Sequence, residues 1–414
     1  MELVYEHCCG LDVHKNTVVA CLITPDVMGR PLKQVRTFRT ITADLLALGD
    51  WLSAAGCTHG AMEATGVYWK PIYNLLEGAV VLLVVNAQHI KAVPGHKTDV
   101  RDAEWIADRL QQGLLRGSFI PTMPQRALRD LTRYRTTLVA ERARTVNRVQ
   151  KVLEDTNLKL ASVATNILGK SARAMLDALL AGETDPAVLA NLAQGRLRAK
   201  RQALQAALVG TLKPHHRFLI AEHLAHVDQL DEAIARVDRE IEAHLQAEAE
   251  AEAMAFLDPI PGISQRAAEG ILAEIGTDMS RFPSAKHLAS WAGMCPGNHQ
   301  SAGKQLHGTT RKGSPWLRQL LLEAAHAAAR TNTYLGAQYR RLAKRRGPKK
   351  ALFAVAHSIL VISFHLLQRQ VAYQDLGANF FDTHEREALQ KRLVRRLEHL
   401  GYQVALQVAP SPAT

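Results

Sequence analysis

The chain has 414 residues, and 47% of them are hydrophobic, which is enough to build two or three domains with separate cores. Lysine and arginine number 51 against 39 acidic residues, so the formal net charge is +12. A basic excess of this size is typical of a protein whose partner is rich in phosphate. Charge alone does not separate that class from a soluble protein with a basic surface.

Five cysteines are scattered through the sequence, and no two of them have CxxC spacing. An odd, scattered set indicates a reducing compartment and argues against a structural zinc site. The N-terminus "MELVYEHCCG" lacks the hydrophobic region of a signal peptide. The longest apolar stretch, residues 351–367, contains two histidines and two serines, which favours a buried helix over a membrane span. The sequence therefore predicts a cytoplasmic protein with no membrane partner.

The first 124 residues alternate between strand-like and helix-like segments. Strands are predicted in "CCGLDVHKNTVVACLI" (a pair), "KQVRTFRT", "HGAMEA" and the continuously apolar "AVVLLVVN", which is expected to be buried. Helices are predicted from Thr42, as the capping residue, to Ala55, in "GVYWKPIYNLLEG", and in "DVRDAEWIADRLQQG", which Gly113 closes. This order predicts a mixed α/β domain over residues 1–124, built on a central sheet.

From about residue 125 the pattern becomes helical. Apolar residues recur at roughly heptad spacing in two long segments, and such seams predict either a coiled-coil hairpin or an arm that dimerises. The seam residues are Leu128, Leu131, Leu138, Val149 and Val152 in the first segment and Val227, Leu230, Ile234, Val237 and Ile241 in the second. We assign residues 125–255 to this coiled-coil dimerisation region, 256–385 to a mostly α-helical C-terminal domain, and 386–414 to a charged tail.

Four carboxylates stand out in the first domain by their positions. Asp12 lies inside a strand-like apolar segment, and Glu63 ends the short strand "GAME". Asp99 and Asp102 are three residues apart at the start of a helix, so they share a face. Brought together by a sheet, the four predict a site for two divalent ions about 4 Å apart. Oxygen ligands favour Mg²⁺ or Mn²⁺ over zinc.

Each of these carboxylates also has an ordinary structural explanation. A carboxylate within a strand is costly unless it is paired, but Asp12 at a strand edge would face water. Asp99 is favoured at a helix N-terminus by the helix dipole. Glu63 could pair with Lys70.

Three later segments carry features expected of a nucleic-acid-binding protein. The first long helix is one-sidedly basic, residues 339–350 read "YRRLAKRRGPKK", and "IPGISQRAAEGILAEIG" resembles a helix-hairpin-helix, whose turn presents N–H groups to a phosphate. A solvated surface face is the alternative for the helix. Its basic residues are Arg126, Arg129, Arg133, Arg135, Arg142, Arg144, Arg148 and Lys151.

A loop rich in glycine, histidine, lysine and serine spans residues 293–315. Ser301 is followed by the small residues Ala302 and Gly303, which would let a phosphate backbone approach closely. Nearby cations and a metal would stabilise its alkoxide, although from these residues alone a flexible DNA-contacting loop is favoured. Ser314 and Ser290 are the nearby alternatives to Ser301 as a nucleophile, and Ser314 precedes Pro315 and is more typical of a helix cap.

Four segments, in order, resemble blocks of the IS110 insertion-sequence family of DEDD transposases, also called bridge-RNA-guided recombinases. They are "GLDVHKNTVVACL", "MEATGVYW", "VNAQHIKAVPGHKTDVRDAEWIADRL" and "IPGISQRAAEGILAEIG…FPSAKHLASWAGMCPGNHQSAGKQLHGTTRKGSPWLRQLL". The resemblance covers both ends of the chain, and it is more specific than any single motif. The chain differs from compact members of that family in its longer middle and tail.

The resemblance implies a RuvC-like N-terminal domain of the ribonuclease H fold, a coiled-coil dimerisation region and a C-terminal transposase domain. It maps the DEDD residues to Asp12, Glu63, Asp99 and Asp102, and the catalytic serine to Ser301 within "NHQSAGK". The serine is then expected to attack a DNA phosphodiester, in a site shared with the RuvC-like domain of another subunit, and to leave a phosphoserine. Strand exchange would follow through a Holliday junction.

The implied partners are donor and target DNA, a structured guide RNA encoded by the element, and further copies of the chain, as a homodimer that assembles to a tetramer on DNA. Two other functions compete. A RuvC-like nuclease would use the same carboxylates to hydrolyse DNA without a covalent intermediate, with Ser301 merely lining the DNA. A nucleic-acid-binding protein with a decayed site is the third, and the intact carboxylate quartet argues against it.

Overall fold

The computed structural model describes residues 3–86, 99–246, 248–296, 299–301, 304–307, 310, 312–384 and 386–405. Within these ranges, the side chains of residues 99–101, 248, 299–301, 304–307, 386–389 and 392 are not described. The chain divides into two compact units, Met1–Ile120 and Pro121–Thr414, and each has its own hydrophobic core.

The first unit is built on a five-stranded sheet of strand order β3-β2-β1-β4-β5. The first three strands form an antiparallel meander, and β4 and β5 lie parallel to β1. The strands are β1 (Cys8–Val13), β2 (Thr17–Pro25), β3 (Pro31–Arg39), β4 (His59–Glu63) and β5 (Val81–Val85). The helices are α1 (Thr42–Ala54), α2 (Trp69–Leu76) and α3 (Asp99–Gln111). The predicted mixed α/β domain is confirmed, with each predicted strand and helix in place.

Two details differ from the sequence-based expectation. Thr42 is the first helical residue and not the cap, because Ile41 occupies the N-cap position without a side-chain hydrogen bond. β5 is an edge strand of the described sheet, with β4 as its neighbouring strand and a single bridge from Val85 to Gly117 on its other side, and Val81 is 58% exposed instead of buried. A continuous apolar run therefore did not indicate burial on both faces.

Alternating residues of β1 serve two separate layers, as the two-residue period of a strand requires. Cys9, Leu11 and Val13 pack with the leucines of α1 and α2 on one face, and Cys8 packs with α3 on the other. Burial raises the pKa of the Cys8 thiol to about 12 and that of Cys57 to about 11, so both are protonated and unreactive at neutral pH.

Helix α3 packs directly on the backbone of Gly10. A Cβ atom at this position would lie 2.2 Å from the carbonyl oxygen of Ala103 and 2.4 Å from the amide nitrogen of Ala107. Any side chain would therefore collide with the helix backbone, which cannot move aside as a flexible side chain can. The absence of a side chain at Gly10 sets the distance between β1 and α3.

The second unit begins with two long helices, α4 (Met123–Asp155) and α9 (Pro214–His244). They run antiparallel, because Leu128 near the start of α4 packs with Ile241 near the end of α9, while Leu138 packs with Leu230 and Ile234. The apolar seams are thus buried against one another within one chain, as expected for a helical hairpin, the first of the two predicted arrangements. Their burial removes the exposed seam on which dimerisation through these residues would rest.

Short helices close the far end of this hairpin around a separate hydrophobic cluster. They are α5 (Leu160–Val163), α6 (Lys170–Leu180), α7 (Pro186–Asn191) and α8 (Arg201–Ala207), with a 3₁₀ turn at Gly195–Lys200. The remaining elements are α10 (Glu248–Leu257), α11 (Gln265–Ile275), α12 (Ala285–Trp291), β6 (His299–Ser301), β7 (Lys304–His307), α13 (Pro315–Ala328), α14 (Tyr334–Arg346), α15 (Pro348–Arg369), α16 (Phe380–His384) and α17 (Arg386–His399).

Helix α15 is the central helix of this last group. In the described part of the chain it is the one helix that is long and apolar enough to cross a membrane by length and composition, and half of its most apolar window is buried in the unit. Val355, Ile359 and Phe364 are among its fully enclosed side chains, and it packs against α13 and α14. The sequence prediction of a buried helix here is confirmed.

The turn before α11 packs against protein rather than opening outward. Gly262 has φ of +92°, and a Cβ there would lie 2.2 Å from the carbonyl oxygen of Ala324 on α13. Ser264 then caps α11 by accepting a hydrogen bond from the amide of Ala267 at 3.3 Å. Gly262 is therefore needed for the packing of this turn against α13. Its presence is explained by that packing and gives no support to the resemblance to a helix-hairpin-helix that binds phosphate.

We predict that Gly10→Ala destabilises the first unit by about 1–3 kcal/mol, since the new methyl group overlaps the α3 backbone. Urea unfolding followed by hydrogen exchange in β1 and α3 measures this. Gly49→Ala is the matched control, because its Cβ meets only the end of the Leu76 side chain at 3.2 Å and alanine is favoured within a helix. Equal stability of the two variants would contradict the packing argument.

We also predict that Ile234→Ala lowers the free energy of unfolding by about 2–5 kcal/mol, because it leaves a cavity in the helix pair. Leu219→Ala on the same helix, where the side chain is 40% exposed, should change it by less than about 0.5 kcal/mol. Circular dichroism during denaturation compares the two. A similar loss in both variants would show that the seam is not a core.

Candidate active site

Asp12 and Glu63 lie side by side at one end of the central sheet. The parallel register pairs Leu11 with Met62, so the next residue of each strand is a carboxylate. Cys8 and Ala61 pack against α3, and the two-residue period places Asp12 and Glu63 on that same face. Neighbouring parallel strands thus present both carboxylates at one edge, facing the α3 layer.

Helix α3 brings its acidic start to this edge. The Cys8 thiol lies 3.8 Å from the carbonyl oxygen of Ala107. Gly10, two residues further along β1, packs against both Ala107 and Ala103, which is one turn closer to the N-terminus of α3. Moving along β1 toward Asp12 therefore means moving toward the N-terminus of α3, where Asp99 and Asp102 lie. The packing of α3 on β1 therefore orients the start of this helix toward the end of the sheet that bears Asp12 and Glu63.

Asp12 is held by a residue that sequence analysis missed. Its carboxylate oxygen Oδ2 lies 3.0 Å from Nε2 of His14, and the side chain of Asp12 is only 14% exposed. His14 follows β1 directly and lies two residues from Asp12, and this short spacing was the signal in the sequence that could have identified it. The hydrogen bond restricts the rotation of the Asp12 carboxylate.

The donor set fits a hard divalent cation, because carboxylate oxygens are the ligands that Mg²⁺ and Mn²⁺ prefer. Among the side chains that the structure describes, no three His, Cys, Asp or Glu residues form a group that could hold a metal ion. Asp12, Glu63 and Asp102 belong to that set, so the structure does not gather these three carboxyl groups into a metal site. The side chain of Asp99 lies outside the set, and the site of four carboxylates stays a prediction. Asp102 is partly buried and has an interaction partner of its own.

Ser301 is the last residue of a β-strand and not part of an irregular loop. β6 and β7 pair antiparallel, with Ser301 opposite Lys304, and a bridge between Pro296 and Thr310 extends the ladder. Two residues, Ala302 and Gly303, separate the strands and lie outside the described residues, as does the Ser301 side chain. A two-residue linker ending in glycine was the sequence signal for this hairpin. Ser301 is therefore placed at the end of the hairpin far from its base.

The base of the hairpin is closely packed. A Cβ at Gly313 would lie 2.2 Å from the carbonyl oxygen of Ala292, so the chain leaving the hairpin contacts the chain entering it. Arg318 on α13 donates a hydrogen bond to the carbonyl oxygen of Gly293 at 3.0 Å. We call residues 292–296 and 312–314, the segments of the chain that lead toward β6 and away from β7, the foot of the hairpin.

Ser314, the rival candidate for the nucleophile, is a helix cap as predicted. Its Oγ accepts a hydrogen bond from the amide of Leu317 at 3.3 Å. The same hydroxyl donates to Oε2 of Glu274 at 3.1 Å. Both bonds commit the hydroxyl to structural roles within the second unit.

The basic helix α4 uses its first arginines inside the protein, which corrects the prediction of a helix that contacts phosphates along its length. Arg133 binds Glu274 through two hydrogen bonds of 2.7 and 3.0 Å. Arg135 pairs with Glu269 and Asp238, and Arg142 pairs with Asp231. Arg126 and Arg129 donate to the backbone carbonyls of Pro121, Ala273 and Glu274. These charges are expected from the sequence to be available for phosphate, because their carboxylate partners lie far away in the chain.

Exposed or partly exposed basic residues remain in the second unit, and three of the places where they lie are relevant to binding of nucleic acid. Arg144, Arg148 and Lys151 form a stripe on the later part of α4. Lys312, Arg318 and His326 line a cavity of about 540 Å³ along α13, together with the carboxylate of Glu323. The third place is the turn between α14 and α15, with Lys344, Arg345, Arg346, Lys349 and Lys350.

Two family models match the chain. The first is the transposase model of the IS110 DEDD type, which matches residues 9–158, and the second is the transposase model of the IS116/IS110/IS902 family, which matches residues 254–340. Together they cover more than half of the sequence. The first match includes all four predicted carboxylates, and the second includes the hairpin with Ser301.

Relatives with assigned names agree with these matches. The chain is 27% identical to a probable family 20 transposase of Pseudomonas aeruginosa, over 76% of this chain and 85% of that protein. It is also 27% identical to an uncharacterized protein of insertion element IS110 of Streptomyces coelicolor, over 68% of this chain and 73% of that protein. A pilin gene-inverting protein of Moraxella bovis is 30% identical over 28% of this chain and 36% of its own length. The chain therefore belongs to the IS116/IS110/IS902 family, and it is an insertion-sequence transposase, an enzyme of DNA recombination.

Proposed function

We propose that this transposase cuts and rejoins DNA with Ser301 as its nucleophile and with Asp12, Glu63, Asp99 and Asp102 as metal ligands. The observation that carries the proposal is the placement of Asp12, Glu63 and the start of α3 at one edge of the central sheet. The position of Ser301 at the far end of a β-hairpin supports its role, because such a hairpin can present a side chain to a bound DNA strand.

The first unit is proposed to be a RuvC-like domain of the ribonuclease H fold. An antiparallel meander followed by two strands parallel to the first supports this assignment. The second unit is proposed to comprise the helical arm at 125–255, the transposase domain at 256–385 and the tail at 386–414. The packing of α4 against α9 supports the arm as a structural part of its own.

A divalent ion, Mg²⁺ or Mn²⁺, would be held by the four carboxylates and would supply Lewis-acid stabilisation of charge at phosphorus. The chain's own residues prepare this site. His14 fixes the Asp12 carboxylate through the 3.0 Å hydrogen bond. Gly10 lets α3 approach β1 closely enough for its acidic first turn to face the same edge.

The proposed reaction is a pair of phosphoryl transfers. The Ser301 oxygen attacks phosphorus, a bond from serine oxygen to phosphorus forms, and the bond from phosphorus to one deoxyribose oxygen breaks. That oxygen leaves as a DNA hydroxyl after taking up a proton, and the serine hydroxyl loses one. A hydroxyl of another DNA strand then attacks the phosphoserine, which joins the strands and restores Ser301 without any external energy source.

The proposed partners are donor and target DNA, a guide RNA encoded by the element, and further copies of the chain in a dimer that forms a tetramer on DNA. The exposed cations on α4, along α13 and at the α14–α15 turn support binding to nucleic acid. The similarity to a pilin gene-inverting protein supports recombination between defined sites. We place the enzyme in the bacterial cytoplasm, associated with the nucleoid when it is bound to DNA.

A covalent-adduct assay tests this function. Full-length protein is mixed with Mg²⁺, the RNA transcribed from the element's flank, and DNA that carries the element's ends. We expect a protein–DNA adduct whose phosphorylated peptide maps to Ser301. Ser301→Ala should bind the DNA normally and form no adduct. Free nicked ends without an adduct would instead support the hydrolytic nuclease, and an adduct at another serine would refute the assignment.

Asp12→Asn and Asp102→Asn test the metal site in the same assay. Each should lower the cleavage rate by more than about 100-fold, since even residues that only support metal ligands typically contribute 10–100-fold. Folding should be unchanged by circular dichroism. Asp108→Asn, at an exposed position on the same helix α3, is the matched control and should cleave at the wild-type rate. Wild-type cleavage by Asp12→Asn would remove this residue from the site.

Binding to DNA should weaken steeply with salt, with a log–log slope that changes by about 0.9 for each phosphate contact. Replacing Arg345 and Arg346 by glutamine should reduce the slope, because both are exposed. Arg142→Gln should leave it unchanged, because Asp231 already occupies that guanidinium. Fluorescence anisotropy with a labelled 30-base-pair duplex measures all three slopes. An unchanged slope in the double variant would show that the α14–α15 turn does not contact DNA.

A further inference from the structure

The most deeply buried acidic group in the described core of the second unit is the carboxylate of Glu274, on the last turn of α11. Its side chain is 2% exposed, and Arg133 of α4 holds both of its oxygens. Arg129, also on α4, lies 3.6 Å from Oε2 and donates to the carbonyl oxygen of Ala273. Burial lowers the pKa of Arg129 to about 10, which still leaves it protonated at neutral pH. A carboxylate buried among cationic partners depends on each of its hydrogen bonds, because removal of one partner leaves a polar group uncompensated away from water.

The third partner of this carboxylate is the hydroxyl of Ser314, at 3.1 Å from Oε2. Ser314 is the last residue of the foot of the hairpin that carries Ser301, and it directly follows Gly313, which packs against Ala292. A bond to a buried, charged acceptor is stronger than one between neutral groups. The exit of the hairpin is therefore fixed to α11, and through Arg133 to the long helix α4.

The entry of the hairpin is fixed to the same point from the other side. Gly313 lies against the backbone of Ala292 and Gly293, and Arg318 donates to the carbonyl oxygen of Gly293 at 3.0 Å. Both ends of the hairpin thus depend on the orientation of the first turn of α13. That orientation is set by Ser314, through its cap to Leu317 and its bond to Glu274.

We propose that Glu274 and Ser314 form a latch that fixes the foot of the hairpin and so positions Ser301 for strand cleavage. Glu274 is a positioning residue, because it acts through Ser314 and touches neither DNA nor the reacting atoms. The inference rests on the proposed role of Ser301. It adds that the hairpin is rigidly connected to α4, so that the helical arm and the hairpin move as one piece.

The chain contains a matched control for this latch. Ser264 caps α11 with a 3.3 Å bond from the Ala267 amide, as Ser314 caps α13 with a 3.3 Å bond from the Leu317 amide. Ser264→Ala and Ser314→Ala therefore remove equivalent caps. Only the second also removes a hydrogen bond to Glu274. Ser314→Thr keeps both functions and serves as the conservative rescue.

Cys295 at the foot provides a reporter that does not depend on activity. It is partly exposed, whereas the four other cysteines are buried in the first unit. The rate at which full-length protein reacts with a maleimide, mapped to Cys295 by mass spectrometry, reports how often the foot opens. Hydrogen exchange of the backbone in residues 299–307 reports the order of the hairpin itself.

We expect Ser314→Ala to raise both the Cys295 labelling rate and the exchange rate of the hairpin by about tenfold, as for the loss of one hydrogen bond to a charged group. Ser264→Ala and Ser314→Thr should stay within about twofold of the wild type. In the DNA assay Ser314→Ala should form its adduct about tenfold more slowly at saturating DNA, with unchanged affinity for DNA. Folded Glu274→Gln protein should show the same faster labelling, faster exchange and slower adduct formation as Ser314→Ala.

Labelling and exchange rates in Ser314→Ala that match those of Ser264→Ala would overturn the latch, because the cap alone would then explain the contact. Normal adduct formation by Ser314→Ala with a loosened foot would overturn its role in positioning Ser301. A wild-type protein that forms no adduct refutes the proposed function instead, while the labelling comparison still decides whether the latch exists.

Discussion

A carboxylate enclosed by protein organises the second unit. Glu274 is 1% exposed, and a charge so far from water is tolerated only when its oxygens are satisfied by cations and hydrogen-bond donors. These partners come from two other helices: Arg129, as a nearby cation, and Arg133, as a donor, lie on α4, and the hydroxyl donor Ser314 lies at the start of α13. A second buried pair, Arg135 with Glu269, joins α4 to α11 one turn away. These contacts hold α4, α11 and the foot of the hairpin in one arrangement.

The first unit depends on a steric constraint rather than on charge. Gly10 leaves no room for a Cβ beneath α3, so strand and helix pack at backbone contact. The antiparallel course of α3 over β1 then directs its acidic first turn to the sheet edge that bears Asp12 and Glu63. Carboxylates on neighbouring strands, such as Asp12 and Glu63, repel one another unless a cation or a donor such as His14 offsets their charge.

The net charge of +12 overstates the surface that is free to bind nucleic acid. Much of the positive charge in the first half of α4 is neutralised by Asp231, Asp238, Glu269 and Glu274. Exposed or partly exposed basic residues lie instead beyond Arg142 on α4, along α13 and at the α14–α15 turn, and also in the 3₁₀ segment Gly195–Lys200 and on α17. This separation suits a protein that uses arginine both to hold its helices together and to contact phosphate, since the guanidinium group performs both tasks.

The amino-acid sequence by itself determined the order and type of the main elements, because strand alternation and helical periodicity are local properties. It also singled out the four carboxylates and Ser301, through their positions in those elements and the resemblance to a family. It did not show that β5 is an edge strand, that Ile41 rather than Thr42 precedes α1, or that Ser301 lies on a hairpin. The partners of the α4 arginines were decided only by the tertiary structure. Arg133 and Glu274 are 141 residues apart, and no local pattern of charge or hydrophobicity records which distant side chain a buried cation will meet.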